Sequence, residues 1–210
     1  MSSVASQPRR SARKPKGDGH LRRAEILEAA ERIFVAEGYE GATIRKIADE
    51  VGVSSTALYM HFQDKDGILL EICERTLRQL LVQNTEIAGK PLDPVNRVKM
   101  MLDAYMRWGL QHPNAYHLVY VAARPVSESL EEGVADLSAE CYEIFSGVVR
   151  EIAAAGRLRN GNADSASQSL WMACHGVVAL LIGRPNFDWQ DHDELLAITL
   201  DGLLHGLIID

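Results

Sequence analysis

The chain has 210 residues, enough to bury a substantial core, and its 47% hydrophobic and 24% charged residues are ordinary for a globular protein. A net charge of −7 spread evenly would argue against a polyanionic partner, but residues 1–65 hold 11 Lys and Arg against 9 Asp and Glu, and the first 23 hold 7 against 1. Positive charge therefore gathers at the N-terminal end. The longest apolar runs, such as 177–183, are too short to span a bilayer, and the polar, basic N-terminus has no signal-peptide core. A cytoplasmic protein with no membrane partner is expected.

Residues 1–20 are rich in Ser, Pro, Gly, Lys and Arg and read as a disordered basic tail, with Arg9, Arg10, Arg13, Lys14 and Lys16 as a phosphate-seeking arm or a solvated stretch. Residues 21–37 repeat apolar side chains at helical spacing, and Gly38 stops them. A second helix is predicted over 43–51, with Thr43 as its cap and Ile44, Ile47, Ala48 and Val51 on one side. Gly52 breaks it, and Ser54 caps a third helix running through Phe62. Phe34, Ile47, Leu58 and Phe62 should form the core of this three-helix unit. Two short helices joined by a glycine-containing turn make a helix-turn-helix, whose second helix is shaped to enter the DNA major groove.

The residues themselves say more than the spacing. The strings A-D-E-V-G-V-S (48–54), A-L-Y-M-H-F (57–62) and Asp64-Lys65-Asp66 closely resemble the DNA-binding signature of TetR-family transcriptional regulators. With Leu58 and Phe62 in the core, Ser54, Ser55, Thr56, Ala57, Tyr59, Met60 and His61 are left to face DNA. Ser and Thr hydroxyls suit phosphates or base edges, and Ala57 or Met60 suits a thymine methyl. The resemblance implies that Tyr59, His61 and Lys65 meet phosphates; Arg45 and Lys46 would clamp the flanking backbone.

Asp64 caps a fourth helix predicted over 65–87, which in the family connects the DNA-binding domain to the rest. Gly89-Lys90-Pro91-Leu92-Asp93-Pro94 follows as a boundary. Further helices are predicted over 94–111, 114–123, 129–155, 163–182 and 191–208, with no period-two strand pattern. Aromatic and polar-tipped residues gather in this half. Met101, Tyr105, Trp108, His112, Tyr116, His117, Tyr120, Phe145, Trp171 and His175 are the candidate lining of a ligand cavity, with Tyr105 and Trp108 foremost. Aromatics at helical spacing also suit plain core. Trp171-x-x-x-His175-Gly176 is similar to the Trp-His-Gly pattern of one C-terminal subgroup of the family, with Gly176 expected to let a helix approach closely. Leu170, Ala173, Val177, Leu180 and Leu181, with Leu195, Ile198, Leu200, Leu203 and Leu204, offer apolar surface for a two-fold dimer.

Cys73, Cys141 and Cys174 show no C-x-x-C spacing, so neither a disulfide framework nor a zinc site is supported. No nucleophile elbow, dinucleotide fingerprint, Walker loop or H-E-x-x-H occurs. No metal, no cofactor and no enzymatic activity are expected. The expected molecule is all-α: a tail (1–20), an N-terminal three-helix helix-turn-helix domain (21–65), and a C-terminal helical ligand-binding and dimerisation domain (66–210) opening with a connecting helix (66–88). What the resemblance implies is a homodimeric repressor. It would hold a palindromic double-stranded DNA operator until a small hydrophobic or aromatic effector releases it, in control of an efflux or detoxification gene. A ligand-independent DNA-binding dimer and an activator are the alternatives.

Overall fold

The structure is a computed structural model that describes residues 19–121, 128–159 and 161–209. The basic tail through Asp18 and the 122–127 stretch, including Arg124-Pro125, lie outside the described residues. Among the described residues there is no strand, only an isolated antiparallel bridge between Leu158 and Ile208. Contacts divide the chain into two compact units, Met1–Glu71 and Ile72–Asp210. The division falls inside a helix, six residues beyond the 65/66 boundary expected from sequence.

In the first unit, α1 (Gly19–Gly41) runs regularly until Gly38, whose φ of 74° and ψ of 169° put a kink where a helix stop was expected. Three local caps then set α2 and α3. Thr43 accepts the amide of Lys46 at 3.2 Å and starts α2 (Ile44–Val51). Gly52 ends it in the left-handed region (φ 74°, ψ 35°), which residues with a Cβ rarely occupy. Ser54 accepts the amide of Ala57 at 3.1 Å and starts α3 (Ser55–Tyr59). This helix is shorter than expected, because the Met60 and His61 amides bond three residues back and tighten the chain into a turn. Phe34, Ile47, Leu58 and Phe62 are all buried, together with Ile26, Ala30 and Ile68. The four residues named from sequence are therefore core.

α4 (Lys65–Ala88) begins at Asp64, whose side chain accepts the Gly67 amide at 2.8 Å. In the second unit, α5 (Pro94–Gln111) is capped by Asp93, which accepts the Val95 amide at 2.9 Å. Buried Arg97 ties the α4–α5 turn down, donating to the carbonyls of Ala88 (2.7 Å) and Leu92 (3.2 Å) and to Glu151 (2.5 Å). The predicted 114–123 helix is instead α6 (Pro113–Tyr116) followed by a wider π-helical turn, His117–Val121. Then come α7 (Glu128–Ala154), α8 (Ala163–Gly183) and α9 (His192–Leu207). Helices α5, α7 and α8 pack on one another, and α9 packs on α5 and α8. Helix α8 is long and apolar enough by length and composition to cross a membrane, unlike the short apolar run read from sequence. It is a core helix here: Ala166, Leu170, Cys174, Val178 and Leu181 are buried in this unit.

Two expectations for α8 and α9 are corrected. Among the described residues a Cβ at Gly176 would meet nothing within 4 Å, so no helix of the same chain packs closely on that glycine. The close approach is at Gly109 of α5, where a Cβ would stand 2.6 Å from Val178 Cγ1 and 3.0 Å from Tyr116 Cδ2. Of the residues expected to face a partner copy, Leu170, Leu181, Leu200 and Leu204 are instead buried in the chain's own core, while Leu180 and Ile198 are exposed. Met172 joins them on the outside.

Candidate nucleic-acid interface and ligand cavity

The cap at Ser54 and the plug at Leu58 decide what α3 presents. With Leu58 inward, Thr56, Ala57, Tyr59 and Met60 are exposed, Met60 at 83%. Ser55 and His61 are half-buried on its flanks. Ser54 is exposed, with its hydroxyl already accepting the Ala57 amide. The C-terminal end of α3 is held from behind by Arg23 of α1. Its guanidinium donates to the His61 carbonyl at 2.7 Å, lies 4.1 Å from the centre of the Phe62 ring, and grips Glu71 through Nε at 2.7 and 3.0 Å. The Glu71 hydrogen bond raises the Arg23 pKa above its ordinary value. Sequence reasoning missed this clamp because its partners lie 38 and 48 residues apart.

The cations expected at phosphates differ in readiness. Arg45 is exposed, with Asp49 at 3.8 Å. Lys46 pairs with Glu37 and donates to the Gly41 carbonyl at 2.9 Å. Lys65 is turned inward: it donates to the Tyr39 carbonyl at 2.9 Å and sits 3.9 Å over the Tyr39 ring. Lys65 thus ties the start of α4 to the end of α1.

In the second unit a cavity of about 220 Å³ opens between α4, α5, α7 and α8. Met101, Tyr105, Tyr120, Phe145 and Trp171, named from sequence, line it. Trp108, His112, Tyr116, His117 and His175 are not among its lining residues. Trp108 is buried against His112, ring centres 5.5 Å apart, and its buried indole N–H has no partner among the described residues. The remaining wall comes from Leu80, Asn84, Leu102, Ser138, Cys141 and Tyr142. The signal for these was present: Ser138, Cys141, Tyr142 and Phe145 form an i, i+3, i+4, i+7 stripe on α7, and Asn84 and Ser138 are polar members of otherwise apolar faces.

Behind the wall stands a closed hydrogen-bond network. The Tyr116 hydroxyl lies 2.7 Å from His175 Nδ1 and 3.1 Å from the His175 carbonyl, to which it can donate. Tyr105 joins it, its hydroxyl 3.0 Å from the same nitrogen. Burial pushes the Tyr105 phenol far above its usual range, helped by the neighbouring phenols and opposed by the Trp171 hydrogen bond. Burial pushes Tyr116 up to about 12 and lifts Tyr120 further. It lowers His175 below the ordinary histidine value, so that imidazole is neutral. His175 and Tyr116 hold Tyr105 and do not reach the cavity themselves.

A capped helix-turn-helix in one unit and a cavity-bearing helical unit in the same chain define a DNA-binding transcription regulator. Residues 26–72 match the family of bacterial regulatory proteins named tetR, and residues 98–203 match the tetracyclin repressor-like C-terminal domain. The chain belongs to the TetR family, whose members are DNA-binding regulators and not enzymes. It is 48% identical over 52 residues to the HTH-type transcriptional repressor AcnR of Corynebacterium diphtheriae, a match covering 25% of this chain and 27% of that protein. With the HTH-type transcriptional repressor KstR2 of Mycobacterium tuberculosis it shares 30% over 104 residues, or 50% of this chain and 52% of that one. The match thus spans only about a quarter to a half of these relatives' lengths. Among solved structures, a tetR-family regulatory protein of Rhodococcus RHA1 superposes with a TM-score of 0.79 at 21% identity, covering 90% of this chain and 98% of that one. The structure of KstR2, described as a ketosteroid transcriptional regulator, gives 0.76 at 23% identity, covering 90% and 96%.

Proposed function

We propose that this chain is a ligand-responsive transcriptional repressor. It binds a palindromic operator as a homodimer through Ser54–His61, with Arg45, Lys46 and Lys65 beside them, and a small hydrophobic or aromatic effector entering the cavity between α4, α5, α7 and α8 releases it. The observation that carries this reading is the cavity itself, an apolar chamber placed where α4, the helix that leads from the recognition unit, forms part of its wall. Linkage requires that the effector bind the DNA-free state more tightly than the DNA-bound one. The likeness of Trp171, His175 and Gly176 to the Trp-His-Gly subgroup fits the same reading, with Trp171 at the wall and His175 bracing Tyr105. Dimerisation is supported by the outer faces of α8 and α9. Met172 and Leu180 flank Gly176, Ile198 stands one turn from Gly202, and among the described residues nothing on a neighbouring element comes within 4 Å of a Cβ at either glycine. Such a dimer sets recognition helices roughly 34–36 Å apart, one turn of DNA. Control of an efflux or detoxification gene from the cytoplasm completes the proposal by family analogy.

The test selects duplexes from a randomised inverted-repeat library and follows their binding by anisotropy at fixed salt. A hydrophobic compound panel is then screened for a rise in thermal stability and for operator release. Selection of an inverted repeat with at least one compound doing both is the expected result. No preference over random DNA overturns the reading. Operator binding that no stabilising compound relieves makes the chain a ligand-independent DNA-binding dimer, and tighter binding with compound makes it an activator.

A further inference from the structure

The cavity wall carries half-buried polar side chains whose hydrogen-bonding capacity the described residues do not fully take up. The Tyr120 hydroxyl and the Ser138 hydroxyl have no hydrogen-bond partner among the described residues, although neither residue is fully exposed. The Asn84 amide donates to the Cys141 carbonyl at 3.4 Å, which leaves its own oxygen free. The Tyr105 hydroxyl, by contrast, is engaged 3.0 Å from His175 Nδ1. Tyr120 rests its ring on Tyr116 (5.2 Å) and edge-on to Tyr105 (6.0 Å) and His175 (5.5 Å), so its position is fixed by packing.

The rest of the wall is largely apolar or aromatic, Leu80, Met101, Leu102, Phe145 and Trp171 among it, and the Tyr142 hydroxyl is a further polar group with no hydrogen-bond partner among the described residues. An apolar cavity of about 150 Å³ accepts a benzene ring. At about 220 Å³ this one has room for a fused pair of rings or a ring with a short substituent. The titrating groups around it report what charge would meet there. Burial raises Tyr105 and Tyr120, moves the Cys141 thiol to about 11, and lowers His175. Acids are pushed up and a base pushed down, so the surroundings disfavour negative and positive charge alike. No Asp, Glu, Lys, Arg or His is among the lining residues, so a carboxylate or ammonium placed inside would lose hydration and meet no counter-charge.

We infer that the effector is uncharged, a ring-sized apolar body bearing one hydroxyl or carbonyl group that exchanges hydrogen bonds with Tyr120, Ser138 and Asn84. This inference rests on the proposed role of the cavity as the effector site. It makes Tyr120 the residue that discriminates among apolar ligands of equal size. A site built to hydrogen-bond such a group rejects the analogue that lacks it, because its own polar groups then stay unpaired.

Three probes of one skeleton test it on the full-length protein: 2-naphthol, naphthalene and 2-naphthoate, each measured by Trp fluorescence titration and by release of the selected operator. The expected order is 2-naphthol tightest, naphthalene at least about fivefold weaker for want of the hydrogen bond, and 2-naphthoate weaker by more than about tenfold. Tyr120→Phe keeps the ring and removes the hydroxyl; it should bring 2-naphthol and naphthalene to within about twofold of each other while the circular dichroism and melting temperature stay near wild type. Naphthoate binding and releasing DNA as well as naphthol overturns the charge argument but leaves the effector reading standing. An undiminished naphthol preference in Tyr120→Phe, checked alongside Ser138→Ala and Asn84→Leu, overturns the hydrogen-bond argument. If none of the three probes binds, this inference fails, while the broader panel still decides whether the cavity senses any ligand.

Discussion

Removing the Arg23 side chain should loosen the recognition helix more than any other single truncation on the back of the first unit. Three contacts are lost together in Arg23→Ala: the charge-assisted bond to the His61 carbonyl (2.7 Å), the grip on Glu71, and the stacking over Phe62 at 4.1 Å. A hydrogen bond from a charged donor is worth about 1.5–3 kcal/mol. The Arg23–Glu71 pair is about one-third exposed at each end (38% and 30%), so it counts for less than about 1 kcal/mol, and the ring contact for about 0.5–1. These share one guanidinium and do not add, which leaves about 2 kcal/mol of local stability. Native-state hydrogen exchange reads that quantity directly at the amides of Leu58, His61 and Phe62, which close the last turns of the recognition segment. They should exchange about 30-fold faster, because 1.4 kcal/mol is a factor of ten. Amides in α5 and α8 should not change. Arg23→Lys keeps the charge but cannot span carboxylate, carbonyl and ring at once, and should recover no more than half the effect. Exchange accelerated less than about threefold in Arg23→Ala, or equally in α8, would refute the clamp.

Three further outcomes follow from contacts already described. Tyr59→Ala should weaken operator binding by more than about 1 kcal/mol with the oligomeric state unchanged in sedimentation, since Tyr59 is exposed and braces nothing. Gly109→Ala forces a Cβ to within 2.6 Å of Val178 Cγ1 and 3.0 Å of Tyr116 Cδ2, so it should cost about 1–3 kcal/mol in denaturant unfolding of the second unit. His175 gives a pH dependence of definite sign: its folded pKa lies below the ordinary 6.5, so in the interval beneath that value the unfolded chain binds more protons. Its contribution is complete above about pH 6.5 and falls as the solution is acidified towards its folded pKa; stability measured against pH should therefore be steeper for wild type than for His175→Gln over that interval.

The parts that could be read in advance are those decided within one turn of chain. Thr43, Gly52, Ser54 and Asp64 act on amides or backbone angles within one turn, and each performs the cap or break its identity suggests. Burial of Leu58 and Phe62 followed from their spacing. What escaped depends on partners distant in sequence. The end of α3 is tightened into a turn whose His61 carbonyl is held by Arg23, and Lys65 finds Tyr39 instead of open solvent. Pattern alone could not tell core from cavity wall either. Trp108 and Tyr142 are both aromatic residues on amphipathic helices, yet one is buried beside His112 and the other lines the chamber. The α8 and α9 leucines have the same ambiguity, since α8 offers Leu181 to its own core and neighbouring Leu180 to the outside.

The occupied ammonium groups of Lys46 and Lys65 bear on how tightly ions govern DNA binding. A cation already seated on a backbone oxygen and beside a carboxylate displaces little of the ionic atmosphere of a duplex, and each fully engaged phosphate otherwise adds roughly 0.9 to the log–log dependence on salt. The helix-turn-helix unit alone should therefore hold its operator with a shallow ionic-strength dependence. Discrimination then falls to the hydroxyl and apolar groups of α3, whose contacts survive where purely coulombic ones are screened away.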